Sequence, residues 1–307
     1  MTPALIAVDW GSSRFRAYLL SPEGDVLAEV ESADGVATVP PGGFPETFIG
    51  LAGAWLGAHP NAPVVASGMV GSRHGWREAP YVPCPAEPAS IAAKLVAAEA
   101  KGRRVWLAPG LSYEDETGQP DVMRGEEVEI LGIADSGARL AVLPGSHSKW
   151  AAMDRGRVLR FRTFVTGELF AAVRDHTVAG AFARASKPGP PGAAFALGVR
   201  RGAAAARGDA GGGLLGSLFG ARSLPLMGKL PEEDAGDYLS GLLIGAEIEE
   251  ARRLFPDAAP YLAGAEALVA RYLAAFAALG LAARAAPPRA AARGLRILAV
   301  AAGLTQA

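Results

Sequence analysis

Short apolar runs, broken by small-residue turns, open the chain and return near its middle. The first copy, LIAVDWGSSRFRAYLLSPEGDVLAEVES, predicts strands over 5–8, 16–20 and 26–30. The second copy, LAVLPGSHSKWAAMDRGRVLRFRTFVT, begins at Leu140 and repeats the order of strand, small-residue loop, strand, glycine-containing turn and strand. The chain is therefore expected to fold one β unit twice, although a plain antiparallel meander would also produce the first copy's pattern.

Between the two copies, the apolar positions change between strand-like and helix-like spacing. They predict a helix over 45–56, a strand over 63–66, a helix over 90–101 and a strand over 104–107. Strands that alternate with helices are typical of layered α/β domains. The fold class expected from the sequence is therefore α/β.

The second half of the chain is richer in helix-like spacing. A helix is expected from Asp121 to Ile133, just before the second copy. Beyond that copy, one strand is expected over 260–263, and helices are expected over 193–207, 214–219, 238–255, 266–279 and 295–304.

A loop-like composition over 110–120 predicts that the 307-residue chain is divided into two domains. Half of the residues are hydrophobic, which is enough material for two separate cores. We expect an N-terminal domain over 1–118, joined by a C-terminal helix over 292–307, and a second domain over 119–291.

Composition narrows the class of ligand. The 30 basic and 31 acidic residues give a net charge of -1, so no overall field attracts nucleic acid or an anionic membrane. Cys84 is the only cysteine, which excludes an internal disulfide and fits a reducing compartment. No apolar run approaches the roughly 20 residues of a membrane span, and the N-terminus has no signal-peptide pattern. We expect a cytoplasmic protein that binds a small molecule, with no nucleic-acid or membrane partner.

The loop in the first copy carries groups suited to phosphate and to a metal ion. Asp9 lies near the end of the first strand and is followed by Gly11, Ser12, Ser13 and Arg14. Backbone amides, hydroxyls and a guanidinium donate to phosphate oxygens, and Mg²⁺ prefers oxygen ligands such as a carboxylate. The alternative is that Asp9 caps an ordinary turn.

The loop in the second copy carries a similar set of donors but lacks the carboxylate. Leu143 stands where the first copy has Asp9, so we expect a site with one metal ion rather than two. The phosphate-binding residues expected in this loop are Gly145, Ser146, His147, Ser148 and Lys149. His147 is equally compatible with a local hydrogen-bonding role.

Five segments together resemble one enzyme family. GMVGSRHGWREAPYVPCPA, PDVMRGEEVEILG, LPGSHSKWA, FRTFVTGELF and YLSGLLIGAEI, in this order, are similar to 2-dehydro-3-deoxygalactonokinases. The DWGSS loop and the second Gly-Ser loop are also similar to the wider superfamily of actin, Hsp70 and sugar kinases. The resemblance implies two ribonuclease-H-like (actin-like ATPase) domains with a central nucleotide cleft.

The resemblance also implies a reaction: phosphorylation of the terminal 6-hydroxyl of 2-dehydro-3-deoxy-D-galactonate in galactonate catabolism, with ATP and Mg²⁺ as cofactors. In the sugar kinases of the superfamily, a carboxylate at a helix start before the second loop accepts the proton of the attacking hydroxyl. Asp121 has this placement in the predicted helix, so it is the expected catalytic base. The alternative role for Asp121 is that of a helix N-cap.

A sugar acid also requires cations for its carboxylate. The expected substrate-binding residues are Ser72, Arg73, Arg77 and Arg124, because the planar fork of arginine fits a carboxylate better than lysine does. Gly264 follows a predicted strand and precedes a helix, where a side chain would block a flat base. We therefore expect Gly264 in the adenosine pocket.

Other functions stay open at the level of the sequence. A kinase for another hexose or an amino sugar would use the same loops, and an actin-like ATPase scaffold would share the fold. Nucleases of this fold gather several carboxylates around two metal ions, which Leu143 and the balanced charge disfavour. A homo-oligomeric state is compatible with the sequence.

Overall fold

The computed structural model describes residues 5–134, 136–187, 189–256 and 258–306. The chain divides into two compact units, and each of them is made of more than one segment. Unit 1 comprises Met1–Ala138, Met153–Phe161 and Pro287–Ala307, and unit 2 comprises Arg139–Ala152 and Arg162–Ala286. The division after Ala138 lies further along the chain than the boundary expected after residue 118.

Unit 1 is built around a six-stranded mixed sheet. Its elements, up to the division, are β1 (Leu5–Trp10), β2 (Phe15–Leu20), β3 (Val26–Ser32), α1 (Phe44–Ala58), β4 (Val64–Ser67), β5 (Tyr81–Pro83), α2 (Pro88–Ala92), β6 (Val96–Ala100), β7 (Arg103–Leu107), β8 (Gly110–Glu114), β9 (Pro120–Met123) and α3 (Glu126–Ala134). The large sheet has the order β3-β2-β1-β4-β7-β6, and a smaller sheet has the order β5-β8-β9.

Strand β1 is central in the large sheet and is apolar almost throughout. All its residues except Asp9 are buried, as expected for a strand covered on both faces. It pairs antiparallel with β2 and parallel with β4, so that Asp9 stands opposite Arg16 on one side and Ser67 on the other. The register therefore brings three polar residues together at one end of an apolar sheet.

The prediction of a helix over 90–101 is wrong. Helix α2 ends at Ala92, and the following residues form strand β6, which pairs antiparallel with β7. The two strands are joined by Lys101 and Gly102, whose φ angles are 46° and 73°. Two consecutive positive φ angles are typical of a tight hairpin turn, and strand pairing here outweighs the helix propensity of the alanines.

The helix expected from Asp121 begins later than predicted. Asp121 lies on β9, which pairs antiparallel with β8 and places Asp121 opposite Tyr113. The turn of this hairpin is closed by Asp115, whose Oδ1 accepts the amides of Thr117 and Gln119. The loop-like segment that was expected to divide the domains is thus part of a β-hairpin, and helix α3 follows it.

Unit 2 has a five-stranded mixed sheet covered by helices. The elements between the division and Pro287 are β10 (Leu140–Leu143), β11 (Ser148–Asp154), β12 (Arg157–Phe164), α4 (Thr166–His176), α5 (Ala181–Ala185), α6 (Ala193–Arg207), α7 (Gly213–Leu218), α8 (Gly220–Leu226), α9 (Ala235–Leu254), β13 (Tyr261–Leu262), α10 (Glu266–Ala278) and β14 (Arg284–Ala285), of which the segment Met153–Phe161 is counted with unit 1. The sheet order is β12-β11-β10-β13-β14. Helices α6, α7, α9 and α10 confirm the sequence-based predictions within a few residues.

Glycines allow the two long helices of unit 2 to cross closely. A Cβ added to Gly202 of α6 would lie 1.9 Å from the carbonyl oxygen of Leu242 in α9, and one added to Gly245 would lie 2.1 Å from that of Val199. The helix backbones are therefore in direct contact at this crossing. Helix α9 is buried along most of its length and carries Glu247 into the core of the unit.

Helix α11 (Ala290–Ala301) belongs to unit 1 and packs on α3 in the same manner. A Cβ at Gly294 would lie 1.8 Å from the carbonyl oxygen of Val128. The expected C-terminal helix is therefore present, and Ala307, the last residue of the expected segment, lies outside the described residues.

The α/β class and the duplicated β unit are both confirmed. In each main sheet, the first strand pairs antiparallel with the second and parallel with a later strand, β4 in one unit and β13 in the other. Across the described part of the chain, none of the helices combines the length and the apolar character that spanning a lipid bilayer requires.

Candidate functional site

The first loop is defined as residues 9–14, which connect β1 to β2 and include the last two residues of β1. The Gly11 amide donates to the carbonyl oxygen of Arg14 at 2.9 Å and closes the turn. The Ala37 amide donates to the Ser12 carbonyl oxygen, and a Cβ at Gly35 would lie 2.3 Å from the same oxygen. Glycine is therefore required for the 35–37 segment to support the loop. The side chains of both serines and of Arg14 remain exposed.

Two further glycines bring other segments to the end of β1. Gly68, which follows β4, has φ 98°, and a Cβ there would lie 2.6 Å from the Trp10 carbonyl oxygen. Gly125 has φ 103°, and its Cβ would lie 3.0 Å from the Gly68 Cα. Glu126, the first residue of α3, is consequently held near the end of the strand that carries Asp9.

The carboxylates at this end of the sheet influence one another. Asp9 Oδ2 lies 2.8 Å from Arg16 Nη2. Burial raises the pKa of Asp9, the Arg16 guanidinium opposes the rise, and Glu126 adds to it. Burial also raises the pKa of Glu129 to about 7, with Asp9 adding to the rise. Carboxyl groups perturbed by burial and by one another are a feature of functional sites.

A single magnesium ion fits this arrangement. Among the described residues, no three His, Cys, Asp or Glu side chains are grouped so that they could hold a metal ion by themselves. Magnesium is commonly bound by one or two carboxylates together with substrate phosphates and water. Asp9, a mostly buried carboxylate at the first loop, matches that donor set.

Asp121, the expected base, is not at a helix start. It is half-buried on β9, and its Oδ1 accepts the amide of Val122 at 2.8 Å. The helix-start position belongs to Glu126, whose Oε2 accepts the amide of Arg124 at 3.0 Å. Sequence reasoning missed Glu126 because it began the helix too early; Gly125 was the signal that could have placed the start.

Arg124 approaches the residue that precedes Ser72 in unit 1. A Cβ at Gly71, next to Ser72, would lie 3.2 Å from Arg124 Nη1. Arg124 Nη2 donates to the carbonyl oxygen of Ala79 at 2.8 Å, and the guanidinium lies over the Tyr81 ring at 4.4 Å. The Nε and Nη1 atoms of Arg124 and the hydroxyl of Ser72 are buried without a hydrogen-bond partner among the described residues.

Arg73 and Arg77 lie in other surroundings. The Arg73 side chain is 79% exposed, lies 3.7 Å from Glu78 Oε1 and lines a cavity of about 570 Å³ together with His74. Arg77 Nη1 donates to the Ala97 carbonyl oxygen at 2.7 Å, and thus supports the edge strand β6. Arg73 follows Ser72 directly in the chain, and Arg124 Nη1 approaches the backbone at Gly71, on the other side of Ser72.

The second loop is defined as residues 144–149, which connect β10 to β11 and include the first two residues of β11. The start of α4 packs against it: the Glu168 amide donates to the Ser146 carbonyl oxygen at 3.0 Å, and a Cβ at Gly167 would lie 2.4 Å from the Gly145 carbonyl oxygen. His147 Nε2 lies 2.7 Å from Glu168 Oε2 at the surface. Helix α4 and the second loop therefore form one connected structure.

Two residues of the second loop have buried side chains. Ser148 is fully buried, and its hydroxyl is 2.9 Å from the Tyr272 hydroxyl. Lys149 is also buried, and its Nζ donates to the His147 carbonyl oxygen at 3.2 Å. The Ser148 hydroxyl, expected on a phosphate, is instead engaged within unit 2.

A cavity of about 340 Å³ adjoins the second loop. Among the described residues, it is lined by Gly145, Ser146, Thr166, Gly167, Phe170, Arg174, Ala183, Ser186, Lys187, Gly236, Asp237, Ser240, Leu243, Ile244, Leu268, Arg271 and Tyr272. Arg271 Nη2 is 2.7 Å from Asp237 Oδ1 in its wall, and the guanidinium lies 4.7 Å from the Phe195 ring centre. A mainly apolar cavity with a few convergent polar groups is the usual form of a small-molecule site.

Gly264 is not among the residues that line this cavity. It has φ 128°, and a Cβ there would lie 3.5 Å from the Pro144 carbonyl oxygen. Gly264 therefore borders the second loop, at the end of β13, and its conformation is one that residues with a side chain rarely adopt.

Comparisons with known proteins agree with one another. A family model described as 2-keto-3-deoxy-galactonokinase matches residues 9–298. The probable 2-dehydro-3-deoxygalactonokinase DgoK1 of Rhizobium meliloti (strain 1021) is 39% identical over 246 residues, which cover 79% of this chain and 78% of that protein. The 2-dehydro-3-deoxygalactonokinase of Escherichia coli (strain K12) is 35% identical over 283 residues, which cover 91% of each chain.

A solved structure shows the same similarity in three dimensions. The crystal structure of a Sinorhizobium meliloti protein assigned as a 2-dehydro-3-deoxygalactonokinase aligns with a TM-score of 0.86 at 36% identity. The alignment covers 97% of this chain and 98% of that one. The fold is therefore shared over nearly the whole length.

Fold, site and relatives together define an enzyme of the phosphotransferase class with an alcohol group as acceptor. The duplicated β-hairpins and the carboxylate at the first loop agree with that class. The chain belongs to the 2-keto-3-deoxy-galactonokinase family, and the resemblance found in the sequence is confirmed.

Proposed function

We propose that the protein transfers the γ-phosphoryl group of ATP to the terminal 6-hydroxyl of 2-dehydro-3-deoxy-D-galactonate. The observation that carries this proposal is the family match over residues 9–298, which includes Asp9 and both loops. The two named relatives, at 39% and 35% identity, are called kinases of this sugar acid.

Each main sheet is proposed to be a ribonuclease-H-like unit, as in actin-like ATPases. The equivalent strand orders β3-β2-β1-β4 and β12-β11-β10-β13 support this assignment, because in each of them the first strand in the chain pairs antiparallel with the second and parallel with a later strand. In both units a small-residue loop follows the first strand.

In unit 1, the first loop is proposed to bind phosphate and magnesium. The exposed side chains of Ser12, Ser13 and Arg14, with the backbone of Gly11, would donate to phosphate oxygens. Asp9 would hold Mg²⁺, directly or through a water molecule. When bound, the ion neutralises charge that develops on the transferred phosphoryl group.

In unit 2, the cavity beside the second loop is proposed to bind the nucleoside of ATP. Its volume of about 340 Å³ and its apolar lining suit a flat base. The start of α4, an eleven-residue helix, faces the cavity through Thr166 and Gly167 and would attract phosphate. Gly264 supports the neighbouring loop.

The proposed general base is Glu126, and Asp121 is the alternative that the sequence suggests. Glu126 begins α3 next to Gly125, whose close approach to Gly68 holds it near Asp9. Asp121 lies on a strand and accepts a backbone amide, so the helix-start argument that favoured it now applies to Glu126. Either carboxylate would accept the proton of the attacking hydroxyl.

The carboxylate of the sugar acid is proposed to bind at Arg124 and Ser72. Buried donors without partners cost free energy, and an anionic ligand would satisfy them. Arg73, exposed beside His74, is the second choice. Arg77 has the least support because its guanidinium already binds the Ala97 carbonyl.

A coupled assay of ADP release tests the proposed reaction. The substrates are 2-dehydro-3-deoxy-D-galactonate, its gluconate-type stereoisomer, neutral hexoses and an amino sugar. We expect the highest kcat/KM with the galactonate-type acid. An enzyme that binds ATP but turns over none of the sugar acids would reject the proposal, and turnover of a neutral hexose or amino sugar alone would assign a different acceptor.

Two matched variants identify the base. Glu126→Gln is expected to lower kcat by about 10²-fold or more while ATP binding is kept, because a general base typically contributes this much. Asp121→Asn is expected to keep most of the turnover. The opposite pattern would return the role of base to Asp121.

A further inference from the structure

Glu247 is a buried carboxylate surrounded by hydrogen-bond donors. It is 3% exposed in the middle of α9. Its Oε1 accepts the indole N–H of Trp150 at 2.7 Å, and its Oε2 accepts the hydroxyl of Tyr272 at 2.6 Å. The Thr166 hydroxyl hydrogen-bonds to the same carboxylate. The side chain thus connects α9 to β11, to α10 and to the first residue of α4.

Ser148 belongs to the same buried hydrogen-bonded network. Tyr272 donates its hydroxyl proton to Glu247, and the Ser148 hydroxyl, 2.9 Å from the Tyr272 oxygen, also hydrogen-bonds to the Glu247 carboxylate. The members of such a network polarise one another in a buried setting, and removing one member deprives others of a partner.

The hydrogen-bonded network of Glu247, Tyr272 and Ser148 reaches the proposed nucleotide site on two sides. Thr166 and Tyr272 line the cavity beside the second loop. Ser148 belongs to the second loop, of which Gly145 and Ser146 line the same cavity. Glu247 itself is not a lining residue, so it acts on a ligand only through the residues that it holds.

We propose that Glu247 is a positioning residue for the nucleotide. It keeps the second loop, the start of α4 and the Tyr272 wall of the cavity in a single arrangement that is complementary to the nucleoside and its phosphates. This inference rests on the proposed function, since it assumes that the cavity takes ATP. Glu247 lies outside the cavity lining and outside both loops, so the proposal adds a residue that the loop motifs do not indicate.

Glu247→Gln tests the proposal because it keeps the shape of the side chain. The amide replaces one acceptor oxygen by a donor, so either the Trp150 indole N–H loses its acceptor or the Tyr272 hydroxyl has to accept a hydrogen bond instead of donating one, and either change disturbs the network. We expect the Kd for ADP, measured by calorimetry, and the KM for ATP to rise about tenfold or more, as for loss of a hydrogen bond to a charged group. The KM for the sugar acid is expected to stay within about twofold.

The matched control is Glu249→Gln on the same helix. Glu249 is 8% exposed and lies 3.2 Å from Arg207, away from the cavity lining. It loses a buried carboxylate of the same helix, so its expected effect is on the melting temperature alone. Unchanged nucleotide constants in this variant would separate positioning from general stability.

Tyr272→Phe provides a second measurement if Glu247→Gln does not fold. It keeps the ring and removes the hydroxyl that links Ser148 to Glu247. We expect the same rise in the nucleotide constants and, in the double variant, a rise smaller than the product of the two. Both variants binding ADP as the wild type does, with only a lower melting temperature, would overturn the proposal. A wild-type protein that binds no nucleotide would overturn the proposed function instead.

Discussion

The Arg16 guanidinium lies 2.8 Å from a carboxylate oxygen of Asp9, and the two residues are direct cross-strand neighbours in the β1–β2 hairpin. Burial raises the pKa of the Asp9 carboxyl because it disfavours the charged form, and the Arg16 guanidinium opposes this rise. The hairpin that forms the first loop thus also supplies the cation that opposes the rise in the Asp9 pKa caused by burial. The proposed role of Asp9 in holding Mg²⁺ requires the charged carboxylate.

Asp9→Asn is expected to reduce turnover by about 10²-fold or more, because the amide keeps the shape but loses the charge that would hold Mg²⁺. The measurement is ADP release at several magnesium concentrations. Asp25→Asn is the control, since Asp25 is an exposed residue of the neighbouring turn. Wild-type turnover in Asp9→Asn would remove this residue from the mechanism.

The sequence predicted the duplicated hairpins and most helices because their apolar spacing is long and regular. It failed over 90–101, where the apolar spacing suggested a helix. The deciding feature there is the Lys101-Gly102 turn, with two positive φ angles, and the pairing of β6 with β7. A long-range strand partner cannot be seen in the local spacing.

The candidate site was predicted in part. Asp9 and the first loop follow directly from a strand that ends in polar and small residues. Whether a side chain is exposed cannot be predicted from such a pattern. The loop position of Ser148 suggested that it binds phosphate, but its hydroxyl lies in the core against Tyr272. The prediction of Glu126 as a site residue required the correct start of α3, and the ends of a helix are its least predictable part.

Arg124→Lys is expected to raise the KM for the sugar acid about tenfold while leaving the KM for ATP unchanged. Lysine keeps the charge but loses the planar fork, whose Nε and Nη1 are buried without partners among the described residues. Steady-state kinetics with each substrate varied provides the measurement.

The control for this substitution is Arg104→Lys in the same unit. Arg104 is exposed and stacks over Trp106 at 5.2 Å, so it offers the same chemical change outside the proposed site. Equal KM values for the sugar acid in Arg124→Lys and the wild type would place the substrate carboxylate elsewhere, with Arg73 as the next residue to test.

Glu127 is expected to make the stability of the protein depend on pH. Burial, with Glu126 adding to the effect, raises its pKa from 4.5 to about 8, and one of its oxygens has no partner among the described residues. Between those two values the folded state binds a proton that the unfolded state has released. The free energy of unfolding therefore decreases as pH rises from about 4.5 to about 8.

Glu127→Gln should reduce this dependence, because the amide has no proton to lose. Urea denaturation at several pH values between 5 and 8 measures it, and Glu116→Gln, at an exposed carboxylate, is the control. If the pH slope of stability is the same in Glu127→Gln and the wild type, the proton is taken up by another group.

Gly202→Ala is expected to destabilise unit 2 although alanine is the better helix former. The new Cβ would lie 1.9 Å from the Leu242 carbonyl oxygen, so α6 and α9 would have to separate. Overpacking typically costs about 1–3 kcal/mol, which exceeds the gain of about 1 kcal/mol in helix propensity.

Gly50→Ala in α1 is the matched control, because nothing lies within 4 Å of its added Cβ. There the propensity term acts alone and should stabilise unit 1 by about 0.5–1 kcal/mol. Urea denaturation of both variants compares the two signs, and a stabilised Gly202→Ala would show that the helix crossing can adjust to a larger residue.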